Sequence, residues 1–426
     1  MILLGTGLLC LPFAVKDAGV NLLTAFFTAT SATCVTGLIL ADTYSHWTTF
    51  GQAVILVLIQ IGGIGFMTLC ISAISLTRKK IGLTSRALMQ NAISAPQIGG
   101  IVRMTKFIFI GTFAVEAVGA LLLSFYFCPK LGLGRGIWFA VFHSISAFCN
   151  AGFDLMGSSE PFSSLTAQSA NVYVNVIIML LIIIGGLGFF VWRDILDTRF
   201  RFSRLNLQSK VVLTFSTILV FGGALLLFLL EFGGPAFEGR SVPEQILASL
   251  FQSVSARTAG FNTVDLSVMT GAGKFLMICL MLVGGSAGST AGGIKTTTFA
   301  VLIFSVFSTF RHRKSIEAFG RRLEDDIART ASCIVIMYLT LACGSAMLIS
   351  RLDGLPLIDA LFESISAVAT VGLTAGTTGA LCTVSKLLLA FLMLFGRAGS
   401  LTFLLAFSSN NTAKVSSLPL EKIQLG

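Results

Sequence analysis

Six stretches of this chain are each long and apolar enough to cross a lipid bilayer: 52–77, 107–127, 171–192, 211–230, 331–350 and 387–408. A spanning helix takes about 20 apolar residues. Only helices and closed barrels span a bilayer, because no water in its core satisfies an exposed backbone group. A seventh stretch begins near Phe275, is interrupted over 284–298 and resumes over 299–310. An eighth, 2–15, is short, and no basic region precedes it as a secretory signal would require. It reads as a first helix whose start lies upstream of Met1, the alternative being a signal sequence. Composition agrees: 55% of the 426 residues are hydrophobic and 11% charged, against about 25% charged in soluble domains. Too few charges remain to cover a water-soluble enzyme of this size.

The net charge of +10 sorts by position. Residues 75–106 carry Arg78, Lys79, Lys80, Arg86, Arg103 and Lys106 without an acid, 192–210 carry five basic residues, and 310–330 carry six. Positively charged loops stay on the cytoplasmic side, so these loops and the C-terminal tail are expected there, two long helices apart. The basic charge is thereby topology, and no nucleic-acid partner is expected. The nine cysteines show no C-x-x-C and no histidine at ligand spacing, and read as small apolar residues.

Between the two spans of each pair lies a segment too short to cross and too apolar for an outside loop: 20–38, 136–153, 244–261 and 357–373. Each has a phenylalanine (Phe27, Phe142, Phe251, Phe362) followed by hydroxyl residues, and each ends on a glycine (Gly37, Gly152, Gly260, Gly372) with an apolar residue after it. From Phe to Gly is ten residues in three copies and nine in the third. The glycines are 115, 108 and 112 residues apart, and a spacing that recurs in this way is an internal repeat. The expected fold is an all-α polytopic membrane protein: four pseudo-repeats of helix, pore helix, filter loop and helix around one central pore, divided at 1–78, 79–193, 194–312 with the broken second helix, and 313–426 with the tail.

Non-helical backbone at membrane depth is tolerated where it is buried in protein or lines water. Four such loops about one axis can offer carbonyl oxygens in place of a cation's hydration shell, as potassium-channel filters do. Thr370-Val371-Gly372 is the copy most like those filters. The short helices end just before the loops, so their partially negative C-termini point toward the ion. The candidate filter is Cys34, Val35, Thr36 and Gly37; Cys149, Asn150, Ala151 and Gly152; Arg257, Thr258, Ala259 and Gly260; Ala369, Thr370, Val371 and Gly372. Arg257 is expected to turn its side chain away from the ion path.

The residues resemble the Trk/Ktr/HKT superfamily of potassium transporters, most nearly the ion-conducting membrane subunit of bacterial Ktr systems. The resemblance spans nearly the whole chain. It rests on the four glycine loops, on the string of 284–298, on Gly396-Arg397-Ala398-Gly399 and on the tail 418–426. It implies potassium uptake across the bacterial plasma membrane without covalent chemistry or a covalent cofactor. Glycine at all four filter positions goes, in the family, with potassium selectivity. It further implies a homodimer, a cytoplasmic ring of nucleotide-binding regulatory subunits as the only source of nucleotide control, and sodium as an activator in some members. Membrane lipid is the remaining partner expected.

Gly284, Gly285, Ser286, Gly288, Ser289, Thr290, Gly292, Gly293 and Lys295 break the third repeat's second helix. Small residues there serve either close helix packing or, as the resemblance implies, a mobile loop that gates the pore, with Lys295 toward its cytoplasmic end. Arg397 lies mid-span, where a charge must face protein or water. It is either a structural ion pair, Glu116 being one partner available, or the positive charge that holds the gating loop. An alternating-access transporter for another cation such as sodium also uses broken helices, but with a two-fold repeat. No intramembrane His/Glu metal motif, Ser/Lys pair or Asp dyad supports an enzyme.

Overall fold

A computed structural model describes residues 1–16, 19, 21–65, 101–158, 160–313, 315–324 and 326–398. Among them one order of elements recurs, a helix followed by a second helix, a glycine turn and a further helix. The first set is α1 (Ile2–Leu9), α2 (Leu22–Cys34) and α3 (Thr49–Ile64). The second is α4 (Ile101–Leu131), α5 (Leu133–Phe148), α6 (Val172–Leu187) and α7 (Phe189–Asp197). The third is α8 (Leu207–Glu231), α9 (Val242–Ser255), α10 (Gly271–Leu282) and α11 (Thr296–Phe310). The fourth is α12 (Ile327–Asp353), α13 (Leu357–Val368) and α14 (Thr383–Ala398). Arg78, Lys79, Lys80 and Arg86, Gly399, the end of the 387–408 stretch and the 418–426 tail lie outside the described residues.

Local sequence explains the helix starts. Asn21, Thr48, Asn171 and Thr270 each accept a first-turn N–H on the side chain, and Ser241 with Glu244 forms a capping box. Carboxylates at the ends of two long helices hold the helices that return beside them. Glu231 accepts from Thr270 N at 3.0 Å and Oγ1 at 2.6 Å, and Asp353 from Cys382 N at 2.6 Å. An anion is favoured at a helix N-terminus by the unpaired N–H groups there.

Stretches of α4 (Arg103–Leu131), all of α8 and all of α12 are long and apolar enough to cross a membrane, and α6 with α7 is a further, bent candidate. Their outward faces expose large apolar side chains such as Leu121, Phe125, Phe221, Leu229 and Ile336, a surface suited to lipid. The short helices α2, α5, α9 and α13 are enclosed, each burying its phenylalanine (Phe27, Phe142, Phe251, Phe362) completely. Each packs against the helix before it. Cross-links then join successive sets: Trp138 Nε1 on α5 donates to Gln52 Oε1 on α3 at 2.9 Å, and Lys274 on α10 pairs with Asp359 on α13 at 2.8 Å.

Three features differ from the sequence reading. The 171–192 stretch is not one straight span: α6 ends at Leu187 and α7 leaves it at 92°. Gly188, at φ +93 and ψ 140, makes the corner, a backbone state that L-residues with a Cβ rarely reach. The 2–15 stretch is helical only to Leu9, and a single turn, Pro12–Ala14, follows. The 310–330 loop contains a two-stranded hairpin, β1 (Glu317–Ala318) paired antiparallel with β2 (Arg321–Arg322). Phe319 and Gly320, both at positive φ, form its two-residue turn.

Candidate ion-conduction site

Each short helix ends in the same way. In the first, Val35 N donates to Ala32 O at 3.2 Å and Thr36 N to Ser31 O at 2.8 Å. This is the Schellman closure, which needs a left-handed residue after the helix. Val35 at φ 57, Asn150 at 57 and Thr370 at 51 supply it, with the same bonds at Asn150–Ala151 and Thr370–Val371. The third copy is one residue shorter from Phe to Gly, and the difference is absorbed here: Ala259 N reaches back to Ser255 O, four residues rather than five, with Thr258 at φ 71. Glycine is the usual residue at such a position. Valine and threonine there store strain of about 1–3 kcal/mol, which persists only where the surroundings over-determine the backbone.

Two residues after each left-handed turn comes the glycine, also at positive φ: Gly37 at 97, Gly152 at 70, Gly260 at 80 and Gly372 at 90. The four glycines close a ring. A Cβ on Gly37 would lie 2.5 Å from the Ala151 carbonyl oxygen, on Gly152 2.9 Å from that of Ala259, and on Gly260 2.7 Å from that of Val371. On Gly372 it would collide with the carbonyl oxygen of Thr36, which completes the circuit. Each glycine therefore leaves room for the preceding residue's carbonyl in the next copy, and no other side chain fits that space.

The hydroxyl residues after each phenylalanine fix this backbone. Ser31 Oγ accepts from Gly37 N at 3.0 Å and Ser366 Oγ from Gly372 N at 3.1 Å, while Ser146 Oγ donates to Phe153 O at 2.6 Å and Ser255 Oγ to Phe261 O. Ser144 and Ser253 bind outward, donating to Glu116 O at 2.7 Å on α4 and Val220 O at 2.8 Å on α8. The residue next to the phenylalanine holds the chain beyond the ring. His143 Nδ1 donates to Phe139 O at 2.7 Å and Nε2 accepts from Leu155 N at 3.3 Å. Glu363 accepts from Thr374, Thr377 and Thr378 hydroxyls and from Ala375 N, at 2.5 to 3.1 Å.

Between α10 and α11 the chain leaves the helix over residues 283–295 and lies against the helix C-terminal sides of the ring. Val283 and Ile294 form an isolated parallel bridge, with Gly284 N donating to Ile294 O at 2.9 Å. The loop docks on the α6–α7 corner: Ser286 N donates to Gly186 O at 3.0 Å, Thr290 N to Gly185 O at 3.3 Å, and Phe189 N to Gly288 O at 2.8 Å. The break in α6 frees those carbonyls, and the loop satisfies them. Thr290 Oγ1 donates to Phe148 O at 3.1 Å. Gly292 lies against Thr370 Oγ1, and a Cβ on Gly293 would lie 3.2 Å from Ala369 O.

Among the described residues, three basic side chains meet this loop. Arg397 Nη1 donates to Thr290 O at 2.6 Å, and Nη2 to the carbonyls of Gly62 and, at 3.4 Å, Gly63 on α3. It thus ties the loop to the first set of helices. Arg257 turns from the ring: its Nη2 donates to Gly284 O at 3.3 Å and Thr296 Oγ1 at 3.1 Å, bracing the foot of the loop. Lys295 Nζ closes the loop on itself through Ala291 O at 2.8 Å. Glu116 is not the partner of Arg397. Both its oxygens accept from Gln60 Nε2, at 3.0 and 2.9 Å. The guanidinium is satisfied by carbonyls that glycine-rich turns leave exposed, so it needs no carboxylate.

The sequence reading missed a second recurrence. Gly62-Gly63, Gly185-Gly186 and Gly284-Gly285 follow the first three ring glycines by 25, 33 and 24 residues, and in the fourth copy Gly396-Arg397 follows by 24. The first members press on the ends of the short helices: Gly62 on Thr33 O, Gly185 on Phe148 O, Gly396 on Val368 O. Arg397 therefore stands where the other copies have glycine, which is why one long side chain reaches across beneath the ring. The paired glycines were the available signal.

Beyond the ring, Asp42 caps a helical turn through Ser45 N at 2.7 Å and also accepts from Phe162 N at 3.2 Å. Asp154 accepts from Met156 N at 2.9 Å. Burial pushes its carboxyl up to about 7, and Asp42 adds to the rise while the Met156 N–H opposes it.

Comparison with known proteins places this architecture. The family model described as TrkH, cation transport protein, matches residues 4–417. The chain belongs to the TrkH family of cation transport proteins. Potassium/sodium uptake protein NtpJ of Enterococcus hirae is 38% identical, covering 100% of this chain and 95% of that protein. Ktr system potassium uptake protein B of Bacillus subtilis is 37% identical over 97% of this chain and 92% of its own length. The crystal structure of the potassium transporter TrkH from Vibrio parahaemolyticus shares the fold, with a TM-score of 0.72 over 96% of this chain and 84% of that one, at 18% identity. Family and helices together make this a multi-pass membrane transporter and not an enzyme.

Proposed function

We propose that this chain is the ion-conducting subunit of a Ktr-type uptake system and passes K⁺ along the axis of the four-glycine ring. The observation that carries the reading is the ring's closure, each glycine seated on the carbonyl of the next copy. Carbonyl oxygens of Thr36, Ala151, Ala259 and Val371 replace water around the ion, and the ends of the four short helices favour a cation there. The names of the relatives from Bacillus subtilis and Enterococcus hirae, at 37% and 38% identity, support potassium as the cargo.

The loop over 283–295 is the gate. It lies against Thr370 and Ala369 and is held by Arg397 and by the α6–α7 corner, so conduction requires it to move. In the same reading the basic loops face the cytoplasm of a bacterial plasma membrane, the chain forms a homodimer, and a cytoplasmic nucleotide-binding subunit controls the loop. Sodium acts, where it acts, as an activator. The sequence divisions at 1–78, 79–193, 194–312 and 313–426 are the structural repeats.

The experiment is cation influx into proteoliposomes holding the full chain, comparing K⁺, Rb⁺ and Na⁺, for the wild type and for a variant with 284–295 shortened. Influx of K⁺ and Rb⁺ well above Na⁺, raised in the shortened variant, is the expected result. A folded, inserted, shortened variant that passes no cation would overturn it.

A further inference from the structure

Helix α7 leaves α6 at 92°. With α6 crossing the bilayer, α7 runs along its surface. The loop that follows alternates cationic and aromatic residues, Arg199, Phe200, Arg201 and Phe202, with Arg204 next and no acid before α8 begins. All five side chains are exposed, Phe200 by 79%. The loop is nevertheless built. Asp194 on α7 accepts from both Asn206 N and Nδ2 at 2.9 Å, and Lys210 Nζ donates to Ser203 O at 3.0 Å.

The two carboxylates of α7 are already engaged: Asp194 with Asn206, and Asp197 with Arg193 at 3.5 Å. Arg199, Arg201 and Arg204 have no carboxylate partner among the described residues. Across from them the β1–β2 hairpin brings Phe319 to Phe202, ring centroids 6.5 Å apart, with Arg321 on its second strand. The hairpin's one acid, Glu317, pairs with Arg313 at 2.5 Å. Exposed phenylalanines in alternation with uncompensated arginines, at the end of a membrane span, fit a layer that is anionic above and apolar below.

We propose that α7, the 198–206 loop and the hairpin turn at Phe319 form a docking surface for anionic lipid, with arginines on the headgroup phosphates and Phe200 and Leu196 among the first acyl carbons. The surface is joined to the 283–295 loop from both sides. Phe189, the first residue of α7, donates to Gly288 O, and α11 runs from the loop's end to the hairpin. A lipid that clasps α7 to the hairpin therefore steadies the floor on which the loop rests. The proposal requires only that the chain span a bilayer, so it stands or falls apart from the potassium reading.

The test is native mass spectrometry of the full chain released from vesicles of mixed phosphatidylcholine and phosphatidylglycerol, counting the phosphatidylglycerol retained. Each arginine-to-glutamine change among Arg199, Arg201 and Arg204 is expected to lower that affinity about fivefold, cumulatively over single, double and triple variants. Phe200→Ser weakens retention with the charge unchanged. Arg135→Gln, an exposed arginine on α5, leaves it intact. All are surface changes, checked by circular dichroism for an unchanged helix content. Equal retention by the triple variant, or equal loss in Arg135→Gln, would overturn the proposal. So would a triple variant that keeps its lipid but loses a soluble protein partner, which would give the surface to that partner.

Discussion

Replacing Gly37 by alanine tests the ring directly. Two costs add at that position. The backbone stands at φ +97, and an L-residue forced to the left-handed side costs about 1–2 kcal/mol. The new Cβ would lie 2.5 Å from the Ala151 carbonyl oxygen, where ordinary contact begins at 3.4 Å, so that carbonyl has to give by about 0.9 Å. Overpacking of this kind costs about 1–3 kcal/mol, and the sum of about 2–5 kcal/mol falls within the margin of a folded protein. The variant is therefore expected to fold with a lowered Tm and a distorted ring, and its K⁺ over Na⁺ preference in proteoliposome influx should fall at least about tenfold, the equivalent of 1.4 kcal/mol. Gly152→Ala, with φ +70 and a contact of 2.9 Å, should be milder. Gly222→Ala within α8, with nothing inside 4 Å, should be neutral or stabilising by up to about 1 kcal/mol. Wild-type Tm and selectivity in Gly37→Ala, or no difference between it and Gly222→Ala, would refute the reasoning.

Other variants probe the surroundings. Arg397→Gln removes charge-assisted bonds to Thr290 O and to α3, each worth about 1.5–3 kcal/mol; resting Rb⁺ influx should rise about tenfold or more, and an unchanged influx would release Arg397 from holding the loop. Glu363→Gln weakens four hydrogen bonds at a fully buried site and should lower stability by about 2 kcal/mol, read as a drop in Tm with lost selectivity. Because Asp154 is raised from 3.8 to about 7 in the folded chain, the native state binds the proton more tightly than the unfolded one, so its contribution is fully present below 3.8 and is lost as pH rises through about 7. Thermal unfolding of wild type should show that loss and Asp154→Asn should not; parallel pH profiles would remove the carboxyl from the account.

Much of this site was legible because glycine at a fixed place in a repeat reports a backbone need. Gly37, Gly152, Gly260 and Gly372 proved to be the positions where only hydrogen fits. The irregular third spacing also had a local meaning, a shorter helix closure at Ser255. What escaped depends on where carbonyls go once a helix breaks. The 171–192 stretch is continuously apolar, and hydropathy carries no record of a 92° corner at Gly188. The Gly-Gly pairs mark carbonyls that the loop and Arg397 claim, which composition alone does not reveal. For Arg397 the sequence leaves open an ion pair or a hold on the loop, because it does not show which backbone oxygens are free; the guanidinium goes to carbonyls of Thr290, Gly62 and Gly63. The left-handed turns at Val35, Thr258 and Thr370 were hidden for the opposite reason, since β-branched residues disfavour that state and only tertiary packing imposes it.

The central claim is that a cation sits on the axis of the four-glycine ring. The most direct measurement is a structure of the full chain in Tl⁺, read by anomalous scattering. The account predicts a peak on that axis, shared among the carbonyl oxygens of Thr36, Ala151, Ala259 and Val371. Ordered thallium elsewhere, beside Asp42 and Asp154 for instance, with nothing at the ring, would contradict it.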